Sequence, residues 1–118
     1  MIIIHHQGLG DHIICNGLIR TLVKKYGKLT VPCKKSLPLI KFMYRDNSNI
    51  EVVNMGDESE YLKNLNKLKQ NEYMLLGFSS FNKDFKKKIS HFDQGFYYLA
   101  GVDYDNRFDN FYIKRDIL

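Results

Sequence analysis

Tryptophan is absent from this 118-residue chain, and proline and cysteine each occur only twice. Two cysteines cannot build a disulfide framework. Cys15 and Cys33 also lie in no metal-ligand spacing, so they read as free thiols of a reducing, cytoplasmic compartment. No apolar run approaches the roughly 18 residues that a membrane-spanning helix needs. Met1-Ile2-Ile3-Ile4 has no basic stretch ahead of it, which argues against a secretory signal. Two prolines and eight glycines exclude collagen-like and linker classes. What is present is 44% hydrophobic and 26% charged, a mix able to bury a core in a length suited to one domain. The net charge of +5 is spread over both halves of the chain. It favours anionic partners and leaves peripheral membrane association open, without specifying either.

Four short β-rich runs recur between helical patterns. Residues 1–5 open with a continuous β-branched run, the signature of a parallel strand buried on both faces. Leu29-Thr30-Val31-Pro32, Ile50-Glu51-Val52-Val53 and Tyr73-Met74-Leu75-Leu76 are the next three strand candidates, with Pro32 marking an edge or exit point. Between the first two, Ile13, Ile14, Leu18 and Leu22 recur at helical spacing, and Gly27 supplies a stop. Ser36-Leu37-Pro38 starts a second helix, with Leu39, Ile40, Met43 and Tyr44 as its apolar face. A third helix is expected over 58–70, with Tyr61, Leu62, Leu65 and Leu68 inward. The order βαβαβαβ predicts an α/β three-layer domain with an open, mostly parallel sheet and right-handed crossovers. Beyond it, a helix is expected over Ser90–Ala100 that buries Phe92, Phe96 and Leu99 and ends at Gly101. A turn-rich stretch over 102–109 and a short extended piece at Phe111-Tyr112-Ile113 follow. The abrupt end at Leu118 suggests one half of a larger design.

The densest chemistry lies in Gln7-Gly8-Leu9-Gly10-Asp11-His12, between the first strand and its helix. In open parallel sheets, ligands bind at the carboxyl ends of the strands. Gly8 and Gly10 there would permit positive φ and a close approach to backbone. A dinucleotide fingerprint would need a third glycine where Ile13 stands and an acidic residue after the second strand, where Val31-Pro32-Cys33 stand. A phosphate loop of the Gly-Lys-Ser/Thr type is absent. No cofactor is therefore expected. Asp11 is suited either to capping the helix or to acting as a general base. His12 is a candidate substrate contact, as is His6, whereas His5 reads as a core histidine. Adjacent strand residues face opposite ways, so His5 and His6 do not chelate together, and no metal is expected. Asn16 lies one turn beyond His12, within reach of the loop. Lys34, followed by Lys35 and Ser36, is at the same expected edge, while Arg20 is too far down the helix for chemistry and is expected to pair with an acid. Lys83, Lys86, Lys87 and Lys88 interleave with Phe78, Phe81, Phe85 and Phe92. That run is short and carries no recognition module, so nucleic acid is not an expected partner.

The opening strand with Gly8-Leu9-Gly10-Asp11-His12-Ile13-Ile14 and Leu18-Ile19-Arg20-Thr21-Leu22 resembles the N-terminal opening of heptosyltransferase-like glycosyltransferases. The stretch from Phe92 to Val102, followed by Asn106-Arg107-Phe108, is similar to the end of the acceptor domain in such enzymes. The resemblance implies a Rossmann-like N-terminal half, over residues 1–118, of a two-domain GT-B enzyme. It also implies transfer of a sugar from a nucleotide-activated donor to a hydroxyl acceptor. Asp11 would be the catalytic base, with Gly8, Gly10, His12, Asn16 and Lys34 on the substrate side. The acceptor would be a sugar or glycan. The nucleotide-sugar would be a substrate held by a C-terminal domain, and the isolated chain would be inactive. Family members often carry a small or apolar residue where His12 stands. The alternative is a non-catalytic small-ligand-binding or protein-interaction domain of the same fold.

Overall fold

The computed structural model describes residues 1–5, 7–34, 36–76 and 93–115. Four parallel strands, β1 (Ile2–Ile4), β2 (Leu29–Cys33), β3 (Ile50–Asn54) and β4 (Tyr73–Leu75), form one sheet in the order β3-β2-β1-β4. Ile2 registers with Thr30 of β2 and with Tyr73 of β4, and Leu29 with Ile50 of β3. β2 is therefore an interior strand. Pro32 lies near its exit, opposite Val53 of β3, and has no amide to donate to the ladder.

The helices are α1 (Leu9–Ile14), α2 (Asn16–Tyr26), α3 (Leu37–Met43), α4 (Glu58–Leu65), α5 (Gln94–Ala100) and α6 (Asn106–Asp109), with a 3-10 turn over Gln70–Glu72. Alternation along β1 separates the two faces of the sheet. Ile3 joins Leu18, Leu22, Val31, Ile40, Phe96 and others in the main core. Ile2 and Ile4 face the other way, toward Met55 just after β3 and Tyr61, Leu62 and Leu65 of α4. Helices thus cover both faces, a Rossmann-like three-layer arrangement.

Several boundaries depart from the sequence pattern. The helix expected over 58–70 ends at Leu65, because Asn66, Lys67 and Leu68 bond back to the third residue before them and tighten the last turn. Leu68 is left exposed by that tightening, and Leu39 of α3 is exposed as well. The turn-rich stretch over 102–109 contains α6. Phe111–Ile113 pairs with no strand of the sheet. Gly27 and Gly101 both end helices at positive φ (84° and 69°), where a Cβ would be strained. The expectations for His6, Lys35, Phe78, Phe81, Phe85, Phe92 and the lysines at 83–88 fall outside the described residues.

The first helical segment is not continuous. It breaks at Cys15, and the break has a cause in the distant Tyr97. The Tyr97 hydroxyl donates to the Ile14 carbonyl (2.6 Å) and accepts from the Leu18 amide (3.2 Å). In an unbroken helix those two groups would bond to each other. Insertion of a side chain into the ladder is a recognised origin of a bend.

Candidate functional site

The strand order reverses between β1 and β4. The connection leaving β1 goes to one face of the sheet and chain arriving at β4 comes from the other. In open α/β sheets such a reversal opens a crevice at the carboxyl ends of the strands, where ligands bind. Here that end carries His5, Gln7, Gly8 and the start of α1, with Lys34 at the exit of β2.

Gly8 caps α1 with an extended backbone (φ −72°, ψ 152°), and Asp11 is the third residue of the helix rather than its cap. One Asp11 carboxylate oxygen, Oδ2, accepts the Gly8 amide (3.1 Å). The other, Oδ1, has no hydrogen-bond partner among the described residues, and the side chain is partly exposed. Neither Gly8 nor Gly10 uses positive φ, so the expected reason for these glycines is corrected. A Cβ on Gly8 would stand 2.9 Å from Asp11 Oδ2, so the close approach here is that of the carboxylate itself. Gly10 lies inside α1 facing open space.

The remaining candidates are placed differently from one another. Lys34 is at the expected edge. Its amide donates to Gln7 Oε1 (3.2 Å) and its ammonium pairs with Glu58 (3.2 Å) at the start of α4. Gln7 also donates to the His5 carbonyl (2.9 Å), so this side chain latches the β1–α1 loop to the end of β2. His12 faces inward and is 1% exposed. Its ring meets His5 edge-on, with centroids 4.4 Å apart. Burial, and then the neighbouring His5, push the His12 pKa down to about 3, so the ring is neutral. Neither of its ring nitrogens has a hydrogen-bond partner among the described residues. As placed, His12 lies behind the surface rather than on it.

Asn16 is fully buried and turned away from the loop. Its Oδ1 accepts the Tyr112 amide (2.9 Å) and its Nδ2 donates to the Tyr112 carbonyl (3.2 Å), much as a neighbouring strand would. Oδ1 also accepts from Arg20 Nε (3.3 Å). Both amide atoms are engaged, so Asn16 is a structural tie in this arrangement. Arg20 has the acid expected of it: it grips Asp46 through two nitrogens (2.8 and 2.9 Å) and also donates to the Met43 carbonyl. That grip holds the Asp46 carboxyl below its ordinary pKa.

Among the described residues no group of three or more histidine, cysteine or acidic side chains is placed to hold a metal ion. No helix among them is long and apolar enough to cross a membrane. Gln7 and Glu58 were not legible as site residues, because a lone polar side chain in a loop or a first helical turn carries no distinguishing pattern. The chain matches no protein-family model, no curated protein and no solved structure.

Proposed function

We propose that the chain is the acceptor-side domain of a glycosyltransferase that moves a sugar from a nucleotide-activated donor to a hydroxyl acceptor. The observation that carries this reading is the divided carboxylate of Asp11. Oδ2 is spent on the Gly8 amide, while Oδ1 stays open beside the strand-order reversal. A carboxylate held by one oxygen keeps a fixed orientation and still offers the other as a proton acceptor. The acceptor hydroxyl would give its proton to Oδ1 as its oxygen bonds to the anomeric carbon. The bond from that carbon to the diphosphate would break, and the leaving group would depart with the electron pair. Gly10, with open space around it, leaves room for the acceptor. Lys34 would meet anionic groups on the acceptor after exchanging its contact with Glu58. The donor would be held by a second domain, because catalysis by proximity needs both reactants fixed across a cleft.

The test is transfer by the full-length protein carrying Asp11→Asn, which keeps the Gly8 contact but cannot take a proton. Loss of a general base lowers turnover by about 100-fold or more. Turnover equal to wild type would overturn the assignment. A second reading, a ligand-binding module without chemistry, is favoured by the Gln7 latch, which satisfies the loop internally. It is supported if a screen of nucleotide-sugars gives neither binding nor turnover with the full-length protein.

A further inference from the structure

Beside the end of α1, a cavity of about 410 Å³ is lined by Ile13, Ile14, Asp93, Arg107, Phe108 and Phe111. That volume lies in the range of small-molecule sites, which are mostly apolar with a few fixed polar groups. Phe108 is 71% exposed, and Ile13 and Phe111 are each 42% exposed, a cluster of open apolar surface that shares this one concavity.

Its two charged groups are held by a single residue, Tyr104. The Tyr104 hydroxyl donates to Asp93 Oδ2 (2.6 Å), and the Tyr104 carbonyl accepts from Arg107 Nη1 (2.9 Å). Burial and the Asp93 contact push the Tyr104 pKa up to about 12, so that hydroxyl remains a donor. The Arg107 guanidinium lies over the rings of Tyr104 (3.7 Å) and Phe108 (4.2 Å). Its only ionic neighbour among the described residues is the well-exposed Asp105 at 3.9 Å, a weak contact. Among the described residues only Nη1 of Arg107 is hydrogen-bonded, and Asp93 Oδ1 has no partner. The cavity therefore presents a stacked, oriented cation and an oriented acceptor beside aliphatic and aromatic walls.

We propose that this cavity is a binding site for a small aromatic carboxylate bearing a hydroxyl group, independent of any sugar transfer. The carboxylate meets the free edge of Arg107, the ring packs against Phe108, Phe111 and Ile13, and the hydroxyl donates to Asp93. A single negative charge fits better than a phosphate dianion, because Asp93 would repel the second charge. The planar guanidinium suits the planar carboxylate, with two parallel hydrogen bonds.

The probe is 4-hydroxyphenylacetate, titrated into the full chain by amide chemical-shift mapping and calorimetry. Saturable shifts centred on Ile13, Arg107, Phe108 and Phe111 are expected. Phenylacetate, which lacks the hydroxyl donor, should bind several-fold more weakly. 4-Hydroxyphenylacetamide, which lacks the charge, should bind at least tenfold more weakly, and Arg107→Gln should weaken the original probe by a similar factor. The amide analogue keeps the test decisive if Arg107→Gln fails to fold. Non-saturable shifts, shifts centred elsewhere, or equal binding of the acid and the amide would overturn the proposal.

Discussion

Lowering the pH through the weakly acidic range should destabilise this protein through one buried ring. His12 is 1% exposed, lacks hydrogen-bond partners among the described residues and has its pKa pushed down to about 3 by burial and by His5. In the unfolded chain it returns to about 6.5. Between those values the unfolded state binds a proton that the folded state refuses, so stability rises with pH across the window. The contribution is complete above pH 6.5 and is lost as pH falls toward 3. The linkage amounts to about 1.4 kcal/mol per pH unit, or roughly 2 kcal/mol by pH 5. That is a large part of the margin of a small domain. Asp46, whose carboxyl is held below its ordinary value of 3.8 by Arg20, contributes its own pH dependence below about pH 5, outside the range over which unfolding is followed. The perturbation is His12→Phe, which keeps an aromatic ring against His5 and removes the titration. Urea unfolding is then followed for both proteins from pH 7.5 to pH 5. The difference in stability between them should shift by about 2 kcal/mol in favour of the variant as the pH falls. Parallel stability curves would refute the burial of a neutral imidazole at this position.

Two substitutions probe the packing around α2. Gly17→Ala should destabilise by about 2 kcal/mol or more by chemical denaturation, even though alanine favours a helix by about 1 kcal/mol, because its Cβ would stand 1.9 Å from the Asn106 carbonyl oxygen of α6. Tyr97→Phe should cost roughly 1–3 kcal/mol in the same measurement, since it strips a partner from both the Ile14 carbonyl and the Leu18 amide; no loss would mean that the ladder closes on itself without the hydroxyl.

The sheet was legible because each strand carries its own local signal. A strand buried on both faces must be apolar throughout, and Ile2-Ile3-Ile4 is. The stops at Gly27 and Gly101 were equally legible, because each sits where the chain needs a left-handed turn. The site was less legible, for a different reason. Asn16 looks the same in sequence whether its amide faces a ligand or the backbone of Tyr112, and 96 positions separate those two partners. The break at Cys15 is set by a hydroxyl 83 positions from Ile14, with no mark near the break itself. Gly8 signals freedom of backbone, yet here it gives room to a carboxylate. His12 follows Asp11 directly, but the helix turns the two to different sides, one toward solvent and one toward the core.

The elements that fix α1 come mainly from the other end of the chain. A helix of six residues has little stability of its own, since nucleation is unfavourable and few bonds follow it. Leu9 and Ile13 are exposed, so the helix buries little apolar surface to compensate. What holds its end is the Tyr97 hydroxyl of α5 on the Ile14 carbonyl. The helix after it is held by Asn106 against Gly17, by Tyr112 on Asn16 and by the Arg20–Asp46 pair. All of these contacts fall between residues 14 and 20, immediately behind Asp11. The Gly8 amide orients the carboxylate of Asp11 within its loop, while residues 97–112 hold the chain immediately behind it. The same short helix also presents Ile13 and Ile14 to the cavity shared with Asp93 and Arg107. Movement of α1 would consequently alter both places at once. A ligand in that cavity could change the placement of Asp11 only by favouring one position of α1 over another, because coupling requires a difference in affinity between two arrangements.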